Sequence, residues 1–123
     1  MQRPHREVGD AGGGALARSE VPFGGGVLDL RKVIQTIAAA RPKTRFMLEM
    51  ITRDPLHVPC LTTKYWATFP DRGGYDMARM MELARANTKP LPRVSGLSHD
   101  AQLKVEEDNV KACLEYAVRE LRV

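Results

Sequence analysis

The chain has 123 residues, of which 43% are hydrophobic and 28% are charged, as in an ordinary globular domain. A complete (β/α)8 barrel takes about 250 residues, so a chain of this length can hold only about half of one. The net charge of +4 arises from Lys and Arg residues interleaved with Asp and Glu, a pattern that argues against a nucleic-acid partner.

The first predicted segment is a lead of residues 1–26, rich in glycine and polar residues, with glycine triplets at 12–14 and 24–26. Glycine at this density costs backbone entropy and offers no side chain to pack. The composition predicts a flexible lead, in which residues 21–23 could still dock as a short extended piece. A folded domain is expected over residues 27–123.

A helix is predicted after Asp29, which is a suitable N-cap. Apolar residues recur there at helical spacing, and Arg41-Pro42 ends the pattern. The residues of this apolar face are Leu30, Val33, Ile34, Ile37 and Ala38.

The next segment, Arg45–Ile51, is apolar on both faces except for Glu49. An apolar run that follows a helix and is bounded by turn residues is typical of a buried parallel strand. An ordered loop is expected from Pro55 to Gly74. One strand cannot form a sheet, so this prediction implies partner strands from elsewhere.

Two more helices complete the predicted order. One begins at Asp76 and ends near Asn87, and the other extends from about His99 to Leu121, with Ser98 as its N-cap. Helices therefore dominate the prediction.

The sequence shows no sign of membrane insertion or secretion. No apolar run approaches the ~20 residues of a membrane span, and the N-terminus has no signal-peptide core. The two cysteines, Cys60 and Cys113, are far apart and favour a reducing environment. We therefore expect a cytoplasmic protein with no membrane partner.

Glu49 is the residue that most needs a chemical explanation. A buried carboxylate costs several kcal/mol unless it is paired or bound to a metal. Because ligands bind at the C-terminal ends of parallel strands, Glu49 is a candidate metal ligand or general acid/base. A structural ion pair with Arg53 or Arg45 is the alternative, and the spacing leaves both open.

Arg53 and Lys64 are candidate substrate-binding residues. Each could reach across a barrel mouth toward a phosphate or sugar oxygen. The alternative is that they are solvated loop charges. Tyr65 and Trp66 could stack on a sugar, although anchoring of the loop is the favoured interpretation.

Several stretches of the sequence carry a family resemblance: Ser19–Asp29, Ala40–Pro42, Arg45–Pro55, Pro59–Phe69 and Asp108–Tyr116. Together they resemble the C-terminal part of sugar phosphate isomerase/epimerase proteins, which belong to the xylose isomerase-like TIM-barrel superfamily. The similarity covers residues 19–123. The resemblance implies an α/β fold: the C-terminal portion of a TIM (β/α)8 barrel, helix-rich and with one clear parallel strand.

In that superfamily, a glutamate at the end of strand eight joins a Glu, an Asp and a His around a divalent metal, and Glu49 matches its position. The metal would be Mn, Mg, Co or Zn. The other three ligands would lie upstream of Met1, so the chain alone is expected to bind no metal. The Gly-Glu-Gly turn of the family is Gly24–Gly26 here, without its acidic residue.

The resemblance implies that a full-length relative catalyses metal-assisted isomerisation or epimerisation of a sugar or sugar phosphate, with this chain inactive alone. The alternative is a non-catalytic interaction module. Exposed strand edges would pair with another chain, either a second copy or a partner that completes the barrel. Metal-dependent endonucleases of the superfamily carry more His and Asp ligands than this segment does.

Overall fold

The computed structural model describes residues 16–123, of which 47% are helical. In chain order the elements are β1 (Leu16–Arg18), α1 (Leu30–Ala40), β2 (Leu56–Val58), α2 (Thr63–Trp66), α3 (Gly74–Ala86), α4 (His99–Tyr116) and α5, a π-helical segment (Ala117–Leu121). The described chain divides into two compact units. Residues 16–18 and 55–91 form the first unit, and residues 19–54 and 92–123 form the second. The prediction of a helix-rich chain is confirmed.

The first unit contains the two strands. β1 and β2 pair in the antiparallel sense, with Leu16 opposite Val58 and Arg18 opposite Leu56. The predicted parallel strand at residues 45–51 is wrong, because these residues form no strand and the observed pair is antiparallel. A strand requires a neighbour for its backbone hydrogen bonds, and no described segment forms such a ladder with residues 45–51.

An aromatic cluster organises the loop of the first unit. The hydroxyl oxygen of Thr62 accepts a hydrogen bond from the backbone N–H of Tyr65 at 3.2 Å and so caps α2. The rings of Tyr65, Trp66 and Phe69 then pack with centroids 5.2 to 6.3 Å apart. Trp66 Nε1 donates to the carbonyl of Cys60 at 2.6 Å. These contacts order residues 60–69. The prediction of an irregular loop from Pro55 to Gly74 is wrong in part, because this stretch contains β2 and α2.

The helices of the second unit begin at the predicted caps. Asp29 Oδ1 accepts from the backbone N–H of Lys32 at 3.0 Å, and Ser98 Oγ accepts from that of Ala101 at 3.4 Å. α1 and α5 are joined by an ion pair between Arg31 Nη2 and Glu120 Oε2 at 2.6 Å. The predicted helix to Leu121 is confirmed as the continuous pair α4 and α5.

A tight turn precedes α1. The backbone N–H of Gly25 donates to the carbonyl of Pro22 at 2.9 Å, and Gly24 has a φ of 83°. A positive φ at this third position is the requirement of a type II turn, which glycine meets without strain. Of the predicted flexible lead, residues 1–15 lie outside the described residues. In the described part of the lead, residues 16–26, the backbone N–H of Phe23 donates to Cys113 Sγ at 3.4 Å.

Few apolar side chains are buried among the described residues. Cys60, Val94 and Cys113 are the buried hydrophobic residues, and Cys113 alone is fully enclosed. By contrast, Leu28 is 69% exposed and Met47 is 88% exposed.

Candidate functional site

Glu49 lies in the second unit, on a segment that we name the extended segment, Arg45–Ile51. Exposure alternates along it: Arg45, Met47, Glu49 and Ile51 are exposed, whereas Phe46, Leu48 and Met50 are half-buried. A period of two is the pattern of an extended backbone. The Glu49 carboxylate is exposed, so the prediction that it is buried is wrong.

The Glu49 side chain makes no hydrogen bond or ion pair with another described residue. The structural ion pair with Arg53 or Arg45, which the spacing left open, is not formed. Both oxygens of the carboxylate are consequently available to a ligand or to another chain.

Arg53 is bound to Glu20 instead. Its Nη2 lies 2.6 Å from Glu20 Oε1 and its Nε lies 3.2 Å from Glu20 Oε2, which is a bidentate arrangement. The hydrogen bond that Arg53 donates to Glu20 is the main cause that raises the pKa of Arg53, despite some desolvation. The guanidinium charge predicted to meet a phosphate is thus already matched by a carboxylate.

A small cleft of about 110 Å³ lies beside this pair. Asn109 Nδ2 donates to Thr52 Oγ1 at 3.0 Å along its wall, and Pro22, Pro92, Val94 and Val105 complete the lining. Small-molecule pockets usually enclose about 300 Å³ or more, so the cleft is too small for a sugar phosphate.

Asp54 connects two segments of the second unit that are far apart in the sequence, and the sequence analysis did not identify it. Its Oδ1 accepts from the backbone N–H groups of Val94 at 2.6 Å and Ser95 at 3.0 Å, and its Oδ2 accepts from Ser95 Oγ at 2.5 Å. The Ser95 hydroxyl is the main cause that lowers the pKa of Asp54 to about 2, with the two N–H groups and Arg93 adding to it. An aspartate before Pro55 is a common turn residue, and that was the available signal.

Lys64 lies in α2 of the first unit, where its side chain is exposed and makes no ion pair with a described residue. Glu49 and Arg53 belong to the second unit. The structure therefore does not gather the three predicted site residues into one unit.

The described residues do not by themselves fit a divalent metal. Within residues 16–123, no group of three or more His, Cys, Asp or Glu side chains is placed to hold one. Hard divalent cations take about six oxygen ligands, and Glu49 offers one carboxylate. A metal at Glu49 therefore requires ligands from residues other than those described.

No helix in the described part of the chain combines the length and apolar character needed to cross a membrane. Comparisons of the chain with protein-family models, curated proteins and solved structures found no match.

Proposed function

We propose that this chain is the C-terminal part of a sugar phosphate isomerase/epimerase-like protein, to which it contributes Glu49 as one metal ligand. The observation that carries the proposal is that the extended segment lacks hydrogen-bond partners among the described residues. Its seven residues make no backbone hydrogen bond with another described residue, and the Glu49 carboxylate has no ion-pair or hydrogen-bond partner among residues 16–123. A barrel strand needs a neighbour on each edge, and within residues 16–123 no strand lies on either edge of this segment.

The sequence resemblance over residues 19–123 supplies the chemical class. In such proteins a divalent metal polarises the carbonyl and hydroxyl oxygens of the sugar during isomerisation or epimerisation. The role of Glu49 in this proposal is to bind the metal ion, and the remaining metal ligands come from the preceding strands. The proposal gives Arg53 no separate role, because its fork is held by Glu20.

The second candidate is a non-catalytic module that pairs with another chain. The exposure of Met47, which lies on the extended segment itself and is 88% exposed, favours it. Both candidates require a partner segment beside residues 45–51. They differ in whether that segment brings metal ligands.

The deciding experiment reads the coding sequence upstream of Met1 and expresses the longest in-frame protein. We expect predicted strands that end in Glu, Asp and His, and a Mn²⁺-dependent conversion of a sugar or sugar phosphate. The Glu49→Gln variant is expected to lose at least about tenfold in metal affinity, measured by calorimetry. Glu106→Gln is the matched control, since Glu106 is another exposed carboxylate without a described partner.

Two results would contradict the proposal. One is an upstream sequence that encodes no such strands, which favours the interaction module. The other is Mn²⁺ affinity that Glu49→Gln and Glu106→Gln leave equally unchanged.

A further inference from the structure

We propose that two copies of this chain pair through their extended segments, as antiparallel strands in a register centred on Met47. This inference rests on the second candidate function, the non-catalytic module, and names its partner; it requires neither a metal nor a sugar. It assigns an interaction surface to residues 45–51 and names a second copy of the chain as its occupant.

The first step concerns the backbone. No N–H or C=O group of residues 45–51 makes a hydrogen bond with another described residue. Free backbone groups on an extended segment form a template for another strand, and strand addition satisfies them with main-chain hydrogen bonds. The segment is therefore suited to pairing.

The second step concerns the side chains. Phe46, Leu48 and Met50 are half-buried within the chain, which fixes one face of the segment. The opposite face presents Arg45, Met47 and Glu49, all exposed. Met47 therefore lies between a cation and an anion, each two residues away. In a copy that runs in the opposite direction, the two charged residues lie at the same distances from Met47, but the cation and the anion have changed places.

This spacing of charges around Met47 is self-complementary in one register. A symmetric antiparallel pair centred on Met47 places Arg45 of each copy opposite Glu49 of the other, and Met47 opposite Met47. Two-fold symmetry repeats the Arg–Glu contact, and opposite charges placed directly across a strand pair stabilise it. Neither Arg45 nor Glu49 has a described ion-pair partner that would compete.

The competing registers lack this match. A centre at Leu48 places Glu49 opposite Met47 and Arg45 opposite Ile51, so no charges are paired. A parallel in-register pair places Arg45 opposite Arg45 and Glu49 opposite Glu49, and like charges directly opposite are destabilising. Charge complementarity thus selects the antiparallel register centred on Met47.

The test is sedimentation of the full chain, with EDTA present, from about 1 µM to about 1 mM. We expect a reversible monomer–dimer equilibrium. The variants Glu49→Arg and Arg45→Glu are each expected to raise the dimer Kd at least about tenfold, because both symmetric contacts become repulsive. Glu106→Arg is the control, since it changes the net charge equally and lies on the exposed side of α4. It should leave the Kd unchanged.

Two complementations make the register testable. The double variant Arg45→Glu/Glu49→Arg should restore the native Kd to within about threefold, because every facing pair is again opposite in sign. A mixture of the two single variants should form heterodimers, since one carries two cations and the other two anions. Far-UV circular dichroism checks that each exposed substitution leaves the fold intact.

The proposal is overturned by a chain that stays monomeric over the whole range. It is equally overturned if the single variants dimerise as tightly as the native chain, or if neither the double variant nor the mixture recovers association. A dimer that survives all charge changes would place the interface elsewhere on the chain.

Discussion

Gly24 lies against the aromatic ring of Tyr116. A Cβ atom built at Gly24 would lie 2.9 Å from Tyr116 Cδ2 and closer still to Cε2. The residue also has a φ of 83°, in the region that L side chains rarely adopt. The turn before α1 and the end of α4 can therefore approach each other only because this position has no side chain.

We predict that Gly24→Ala lowers the free energy of unfolding by about 1–3 kcal/mol, through steric overlap and backbone strain together. Urea unfolding followed by circular dichroism measures the change. Gly96→Ala is the matched control, because Gly96 has open space around its Cβ direction and an ordinary φ. Equal stability of the two variants would show that the contact with Tyr116 does not constrain the turn.

The extent to which the sequence predicted this structure depends on how local each signal is. α1 and α4 were predictable because their caps, Asp29 and Ser98, bond to N–H groups three residues away. The pair Arg53–Glu20 spans 33 residues and the bond from Val94 to Asp54 spans 40. No periodic pattern encodes such pairings, which depend on how distant segments meet.

The extended segment shows the same limit. Its apolar composition predicted burial on both faces, but only alternate residues are turned inward, and Met47 and Glu49 are exposed. Whether such a run becomes a strand depends on a neighbour that the run itself cannot specify. The candidate role of Glu49 came from its place in an apolar run and from the family resemblance, whereas the contacts of Asp54 and Glu20 emerged only from the structure.

The bond from Trp66 Nε1 to the carbonyl of Cys60 gives a second prediction. Trp66→Phe keeps an aromatic ring but removes the Nε1 donor. The carbonyl of the buried residue Cys60 then loses this hydrogen bond. We expect a loss of about 1 kcal/mol in the free energy of unfolding. Tyr65→Phe is the control: it removes a hydroxyl that has no described partner, and should change stability by less than about 0.5 kcal/mol.

Urea unfolding followed by circular dichroism measures the free energy of unfolding of both variants. A Tyr65→Phe variant as destabilised as Trp66→Phe would contradict the assignment of the effect to the Nε1 donor. It would point instead to the packing of the aromatic cluster as a whole.

The contact between Asp54 and Ser95 gives a prediction about pH. The pKa of Asp54 is lowered to about 2 from an ordinary value of 3.8, mainly by the Ser95 hydroxyl. Because the folded-state pKa is the lower one, the stabilising contribution is fully present above about pH 4 and is lost as the pH falls through about 2. We expect the melting temperature to fall over this window, and to fall less steeply in Asp54→Asn, which cannot titrate.

Carboxyl carbon NMR measures the same effect at the residue itself. The Asp54 signal of the native chain should titrate near pH 2, and in Ser95→Ala its pKa should move up toward the ordinary value, because the hydroxyl that donates the main hydrogen bond is gone. Asp71→Asn is the stability control, since Asp71 is exposed and makes no described bond; its melting temperature should follow that of the native chain at every pH. An Asp54 signal that titrates at the ordinary value in the native chain would mean that the bonds to Val94 and Ser95 do not persist in solution.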